Sequence, residues 1–264
     1  MCPDKIFLGL TLYDICICIG IIACFFVFCR LADKNGIKVR LQNFTLLCGV
    51  GGIACGFGSA ILFQALYNIG RDGGFVISTN TGATFYGGLI GGAATFLAAY
   101  FVIGRFVFKS GEHKSEFWSV AACAAPAIVI AHGFGRIGCL MAGCCHGELT
   151  DAWYGVLMLG NSGYARYVPV QLFEALFLFA LFAVLFINAI KGKGYNLPTY
   201  MMAYGVWRFL VEFARGDYRG TTLTEVLSPS QLIALVMIVG GVAVALTEKK
   251  VRSGQPDADG GENE

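Results

Sequence analysis

The sequence predicts an all-α, polytopic membrane protein with about seven transmembrane helices. Of its 264 residues, 56% are hydrophobic and only 14% are charged, whereas about a quarter of the residues in a soluble domain are charged. Several apolar runs reach the roughly 20 residues that a helix needs to cross a bilayer. Short, charge-bearing connections separate them. These observations predict one membrane domain over residues 1–247, followed by a polar, disordered cytoplasmic tail over 248–264.

The hydropathy pattern places seven spans along the chain. They lie near residues 6–29, 44–69, 83–108, 117–134, 170–190, 197–214 and 228–247. The first could be mistaken for a secretory signal peptide, because Lys5 precedes an apolar run that contains a lipoprotein-like cleavage box. That run continues through Phe28, which is too long for a signal-peptide core. We therefore interpret it as a membrane span.

The basic residues predict the orientation of the spans. Connections on one side of the membrane hold twelve Lys and Arg residues, and those on the other side hold six. Because the more basic connections stay in the cytoplasm, the N-terminus is expected outside and the C-terminus inside. The longest connection, about 132–169, then lies on the outer face. The basic residues are dispersed among the connections, which argues against nucleic acid as a partner.

Two predicted spans are rich in glycine. In the second, glycines at 49, 51, 52, 56 and 58 indicate close helix packing through small residues. In the third, Tyr86 stands beside Gly87 and Gly88. A phenol among glycines predicts a place where a ligand approaches the backbone.

Ionisable residues inside membrane spans are the first candidates for a functional site, because burying them is unfavourable. Besides Asp14 and Glu174, the spans contain Arg208 and Glu212, four residues apart on one helix face. They can form a pair that merely neutralises itself. With Tyr204 one turn earlier, the three polar side chains instead indicate the wall of a cavity.

Arg136 lies in a glycine-rich run over 131–147, which predicts a loop. Five glycines fall within fifteen residues, among them Gly135, Gly138 and Gly147. Backbone N–H groups of such a loop can face an anion while the guanidinium offers a bidentate fork. With Arg208 as a second arginine, the pattern predicts a site for a phospholipid headgroup.

Several blocks, in order along the chain, carry a resemblance to a known family. They are residues 85–91, Gly-Arg-Ile-Gly at 135–138, Gln-Leu-Phe-Glu at 171–174, residues 204–213 and Ser-Pro-Ser-Gln at 228–231. Over about residues 10–245 the chain resembles the prolipoprotein diacylglyceryl transferases. The resemblance implies a bacterial cytoplasmic-membrane enzyme of lipoprotein biosynthesis. Such an enzyme moves the diacylglyceryl group of phosphatidylglycerol to the lipobox cysteine thiol of a prolipoprotein signal peptide and releases glycerol phosphate. It implies neither a metal nor an organic cofactor.

The resemblance also implies roles for individual residues. Arg136 matches the arginine that holds the lipid phosphate, Arg208 the second essential arginine, and Tyr13 an important tyrosine of the first span. The remaining candidates for catalysis or substrate binding are Tyr204, Glu212, Gln171, Glu174, Gly87, Gly88, Gly135, Gly138 and Gly147.

The chain departs from the family pattern around the loop. Tyr86 stands where the family usually has histidine, and Val168 replaces a second histidine. The asparagines and the acid that follow Gly-Arg-x-Gly are here Cys139, Ala142 and Cys144. The proton acceptor therefore stays open among Tyr86 and two histidines near the loop, His146 and His132.

These substitutions motivate two alternatives. One is a paralogous lipid transferase with a different acceptor. The other is a non-enzymatic membrane protein that binds metal or acts in redox chemistry through Cys144, Cys145 and His146, with Cys139 and His132, since thiolates and imidazoles are zinc and copper ligands. The cysteines can also form a disulfide staple or simply pack. A small-solute transporter would favour two related halves of the chain, and no clear internal repeat is visible.

Overall fold

The computed structural model describes residues 9–72, 85–160, 163–215 and 227–253, most of which are helical. The helices are α1 Leu12–Lys34, α2 Val39–Asp72, α3 Phe85–Ala98, α4 Gly104–Val107, α5 Glu112–Ser115, α6 Phe117–Ala142, α7 Val170–Ile190, α8 Asn196–Val211 and α9 Pro229–Ser253. A π-helical turn, Ala99–Ile103, joins α3 to α4, and a 3-10 turn, Glu212–Ala214, follows α8. Strands β1 Val156–Gly160 and β2 Gly163–Tyr167 form an antiparallel hairpin with Met158 opposite Ala165.

The chain divides into two compact units. One combines Met1–Asn35 with Trp118–Glu264, and the other is Gly36–Phe117. The Gly36–Phe117 unit is built on the pairing of α2 with α3. The other unit contains α1, α6 to α9 and the hairpin, and it holds most of the polar residues considered below.

Glycines bring α2 and α3 into backbone contact. A methyl group built on Gly56 would lie 2.9 Å from the Gly88 carbonyl oxygen, and one on Gly92 would lie 3.0 Å from the Gly52 carbonyl. Small residues permit such close approach between membrane helices. The packing prediction for the second span is confirmed at Gly52 and Gly56, whereas a methyl group on Gly49, Gly51 or Gly58 would meet nothing within 4 Å.

The same contacts bear on the prediction that a ligand approaches Gly87 and Gly88. A methyl group on Gly87 would lie 2.5 Å from Phe63 Cβ, and one on Gly88 would lie 3.3 Å from Ala60 Cβ. Both glycines thus face α2. We therefore interpret them as packing residues.

Large side chains of α6, α7 and α8 form a core in the unit that combines Met1–Asn35 with Trp118–Glu264. Val129, Leu178, Leu185 and Tyr204 are buried together, and Phe177 stacks on Trp207 with ring centroids 4.4 Å apart. Helix α8 in turn packs closely on α9. A methyl group on Gly205 would lie 2.9 Å from the Ala234 carbonyl, and one on Gly241 would lie 2.7 Å from Met202 Cγ.

Six of the described helical segments are long and apolar enough to cross a membrane. They are Leu12–Lys34, Val39–Leu66, Gly87–Val107, Phe117–Ala142, Val170–Ile190 and Pro229–Ser253. The prediction of an all-α, polytopic membrane protein is confirmed. Helix α8 has 16 residues, or about 24 Å at the usual helical rise, and is shorter than the other six. The count of seven spans and the orientation of the termini stay predictions.

The structure corrects the predicted loop around Arg136. Helix α6 continues to Ala142, so Gly135, Arg136 and Gly138 lie within a helix and the connection to the next span begins only at Gly143. Two glycines of this stretch pack against neighbouring helices instead of forming a turn. A methyl group on Gly133 would lie 2.7 Å from Phe179 Cε1, and one on Gly138 would lie 3.1 Å from Tyr13 Cδ2. Backbone N–H groups inside the helix are bonded to earlier carbonyls, so they do not form an anion cradle.

The predicted cytoplasmic tail begins later than expected. Helix α9 runs to Ser253 because Glu248 is buried and accepts two hydrogen bonds. Its Oε1 accepts from the backbone N–H of Tyr195 and from Arg252 Nε, each at 2.9 Å. Residues 248–253 are therefore helical, and residues 254–264 lie outside the described part of the chain.

Candidate active site

Arg136, Glu174 and Tyr204 form a triad of side chains from three helices. Arg136 Nε on α6 lies 3.1 Å from Glu174 Oε1 on α7. Arg136 Nη2 donates to Tyr204 Oη on α8 at 3.3 Å, and that hydroxyl donates to Glu174 Oε1 at 2.7 Å. Glu174 is fully buried and Tyr204 nearly so. A buried carboxylate is tolerated only with such partners, so the triad fixes the position of Arg136.

A second cluster surrounds Arg208, one helical turn beyond Tyr204 on α8. Arg208 Nη2 lies 2.9 Å from Glu212 Oε2, which confirms the pair predicted from their spacing. The same nitrogen donates to Ser230 Oγ at 3.0 Å, and Ser228 Oγ donates to Glu212 Oε1 at 2.9 Å. Arg215 Nε lies 4.0 Å from Glu212 Oε2. Ser230 at the start of α9 and Ser228 just before it thus hydrogen-bond to the Arg208–Glu212 ion pair.

Two further residues join the network: His132, a base candidate from the sequence, and Tyr200, which sequence patterns did not single out. The ring of His132 on α6 lies against Tyr204, with ring centroids 4.7 Å apart, and its Nδ1 lies 3.1 Å from Tyr200 Oη. A signal for Tyr200 was available, because positions 200, 204, 208 and 212 repeat at four-residue spacing and share one helix face. The polar stripe on α8 is one turn longer than predicted.

The network leaves hydrogen-bonding capacity for a ligand. Arg136 pairs with Glu174, and Arg208 and Arg215 lie beside Glu212. Within the described ranges, Arg208 Nη1, Glu174 Oε2 and His132 Nε2 are buried atoms without a hydrogen-bond partner. A buried guanidinium with an unused N–H fits an anionic ligand.

Comparison with known proteins places the chain in a family. The family model for prolipoprotein diacylglyceryl transferase matches residues 5–247. The chain belongs to the prolipoprotein diacylglyceryl transferase family. It is a transferase of the membrane, as the resemblance implied.

Individual relatives match over most of their length. The phosphatidylglycerol–prolipoprotein diacylglyceryl transferase 2 of Clostridium perfringens is 32% identical over 240 residues, covering 87% of this chain and 88% of the relative. The corresponding transferase of Clostridium tetani is 31% identical, covering 88% and 90%. That of Geobacter sulfurreducens is 30% identical, covering 90% and 92%.

In this family member, Tyr13 lies beside the helix that carries Arg136. Its ring packs over Gly138, where a methyl group would lie 3.1 Å from Tyr13 Cδ2. Gly135 is less confined, because a methyl group there would meet only Ile17 Cδ1, at 3.9 Å. Asp14, the neighbour of Tyr13, forms a capping box with the N-cap Thr11 of α1, since its carboxylate accepts from the Thr11 backbone N–H at 2.9 Å. The Asp14 carboxylate therefore has a structural role at the start of α1.

Gln171 and Gly147 stabilise the segment that follows α6. Gln171 is buried and its Nε2 donates to the Cys144 carbonyl and, at 3.8 Å, to Met158 Sδ. A methyl group on Gly147 would lie 2.7 Å from the Ala214 carbonyl oxygen. Both residues therefore stabilise the segment that follows α6.

The remaining base candidates are His146 and Tyr86. His146 stacks on Tyr167, with ring centroids 3.9 Å apart, and its Nδ1 lies 3.0 Å from the Gly147 carbonyl. Tyr86 is in the first turn of α3, and its side chain lies outside the described part of the structure. Among the described histidines near the loop, His132 is the one in contact with Tyr204.

Proposed function

We propose that this chain transfers the diacylglyceryl group of phosphatidylglycerol to the lipobox cysteine thiol of prolipoproteins in the bacterial cytoplasmic membrane. Family membership supports the reaction, since the relatives that match the chain carry that activity in their names. The observation that supports it best is the buried network of Arg136, Glu174, Tyr204, Arg208 and Glu212. Its two guanidinium groups, with Arg208 Nη1 unused, suit a phosphodiester.

The arginines have a defined task in this reaction. The acceptor thiolate attacks the carbon of the diacylglyceryl group that is bonded to the phosphate oxygen. A C–S bond forms, that C–O bond breaks and glycerol phosphate leaves. The phosphate changes from a diester with one negative charge to a monoester with nearly two. Preformed cationic groups in a site shielded from water stabilise charge that develops in this way. We assign phosphate binding to Arg136 and Arg208.

The acceptor thiol must lose a proton before it attacks, because the thiolate is the nucleophile. We assign proton acceptance to His132, whose ring contacts Tyr204 and whose Nε2 is buried without a hydrogen-bond partner in the described structure. The bond between Nδ1 and Tyr200 Oη would fix the ring orientation. His146, engaged with Tyr167 and Gly147, is the less suitable candidate.

The test uses purified protein in detergent, phosphatidylglycerol and a lipobox peptide. We expect the peptide mass to increase by one diacylglyceryl group, with release of glycerol phosphate. A peptide with serine in place of the lipobox cysteine, and the Arg136→Gln enzyme, should both give no product. Absence of product while a relative's transferase is active in parallel would contradict the proposal. Modification of a thiol peptide without a lipobox, but not of the lipobox peptide, would instead assign the chain a different acceptor.

A further inference from the structure

Three cysteines converge where α6 ends, and neither the lipid chemistry nor the packing of the helices accounts for them. The Sγ atoms of Cys139, Cys144 and Cys145 all lie within 4.8 Å of one another. Among the cysteines in the described ranges the structure forms no disulfide. Cys144 is exposed and the other two are partly exposed, so an ion in solution can reach the cluster.

The end of α6 explains why residues five apart meet. Gly143 has a φ of 72°, and its N–H donates to the Leu140 carbonyl at 3.1 Å. The N–H of Cys144 donates to the Cys139 carbonyl, also at 3.1 Å. This pair of bonds is the Schellman motif, which returns the chain over the last helical turn. It places Cys144 against Cys139.

The backbone of Cys145 provides a second, independent observation. Its φ is 61°, in the left-handed region that is unfavourable for a residue with a side chain. Such conformations persist when the surroundings impose them, and they are concentrated at functional sites. Here the left-handed turn accompanies the approach of Cys145 Sγ to the Sγ atoms of Cys139 and Cys144. Gln171 further anchors the turn by donating to the Cys144 carbonyl.

We propose that Cys139, Cys144 and Cys145 bind a thiophilic cation, zinc(II) or copper(I), through three thiolates. Thiolate ligands select these ions. A zinc–sulfur bond is about 2.3 Å, which sets the sulfurs of a tetrahedral site about 3.8 Å apart. The Sγ atoms, all within 4.8 Å of one another, are within about 1 Å of that spacing. On binding, three S–H bonds break, three protons go to solvent and three metal–sulfur bonds form.

Arg136 favours this site. It precedes Cys139 by one helical turn on α6, which by itself would repel a cation. Three thiolates around zinc(II) or copper(I), however, carry net negative charge, so the guanidinium stabilises the loaded cluster. This inference goes beyond lipid transfer and does not depend on it.

The experiment measures metal on the reduced, full-length protein in detergent under anaerobic conditions. Zinc(II) and copper(I) are added separately, and bound metal per chain is determined by mass spectrometry after desalting. Cobalt(II) serves as an optical probe, because thiolate ligation gives charge-transfer absorption in the near ultraviolet. We expect one zinc(II) or copper(I) per chain, and the ion that is retained identifies the cation.

The variants distinguish the metal site from a folding defect. Cys145→Gly keeps the left-handed backbone without strain and removes the side chain that carries the thiol. It should weaken metal binding at least about tenfold, a loss that even supporting residues around a metal cause. Cys139→Ser and Cys144→Ser should weaken it similarly, whereas Cys18→Ser on α1 should bind like the unsubstituted protein. Equal metal content in the protein and in a variant lacking all three thiols would overturn the proposal. A disulfide between two of the three cysteines in the freshly purified protein would overturn it too.

Discussion

At the scale of single residues, variants of the Arg136–Glu174 pair distinguish a contribution to protein stability from a contribution to catalysis. The ion pair spans 3.1 Å and Glu174 is fully buried. Removing one member of such a pair costs about 3–5 kcal/mol, because the other charge is left uncompensated. We therefore expect Arg136→Gln and Glu174→Gln each to lower the apparent unfolding temperature. The double variant should recover most of that loss.

Lipid transfer should not recover with it. If Arg136 binds the phosphate, Arg136→Gln and the double variant should both be inactive, while Glu174→Gln alone should keep measurable activity. Thermal unfolding in detergent and the mass of the lipobox peptide supply the two readouts. An active double variant would show that the arginine serves only to neutralise Glu174.

The two histidines near the end of α6 give a matched comparison. His132→Gln should lower the transfer rate by about two orders of magnitude, the usual contribution of a general base, with little change in the KM for phosphatidylglycerol. The residual rate should rise as pH approaches 8.5, about the pKa of a free thiol, because the acceptor then ionises without help. His146→Gln should resemble the unsubstituted enzyme across the pH profile. Full activity of His132→Gln, or loss confined to His146→Gln, would refute the assignment.

Sequence reasoning found most of the charged residues but not all of their partners. The four-residue spacing of Arg208 and Glu212 predicted their contact, because helix geometry alone brings such residues together. The pairing of Arg136 with Glu174 joins positions 38 apart in the chain. It depends on how α6 packs against α7, which no local pattern encodes.

At the scale of helices, the two glycines that flank Arg136 differ in a way that can be measured. Gly138→Ala should displace α1, because the new methyl group would lie 3.1 Å from Tyr13 Cδ2 and 3.3 Å from Cys16 Cβ. We expect lower thermal stability and lower activity. Gly135→Ala should be neutral or slightly stabilising, since its methyl group makes only an ordinary contact at 3.9 Å and alanine is the better helix former.

The outcome also tests whether this stretch is helical. Were Gly135 part of an anion-binding loop, as its sequence context predicts, alanine there would be as damaging to lipid transfer as alanine at 138. Glycine is ambiguous in sequence because it marks both turns and close helix contacts. The sequence alone therefore ended the fourth span near residue 134, eight residues before α6 ends.

At the scale of the whole molecule, composition and hydropathy sufficed for the fold class and for most span positions. The fifth predicted span, 170–190, coincides with α7. At the end of the last span, the prediction failed because of a tertiary contact. Buried Glu248 pairs with Arg252 and with the backbone of Tyr195, and this extends α9 into a segment whose polarity resembles that of a tail.

Helix α8 determines the topology of the molecule, because it is the predicted span that falls short of the length of the others. If its 16 residues cross the bilayer, seven spans put the termini on opposite sides, and the basic connections put the C-terminus in the cytoplasm. We expect a fluorescent protein fused after Ser253 to be fluorescent and alkaline phosphatase fused there to be inactive. A phosphatase joined to the N-terminus through its own export signal and a cleavable linker should be active. Both termini on one side would mean that α8 does not cross, and that Arg208 and Glu212 belong to a segment that enters and leaves by the same face.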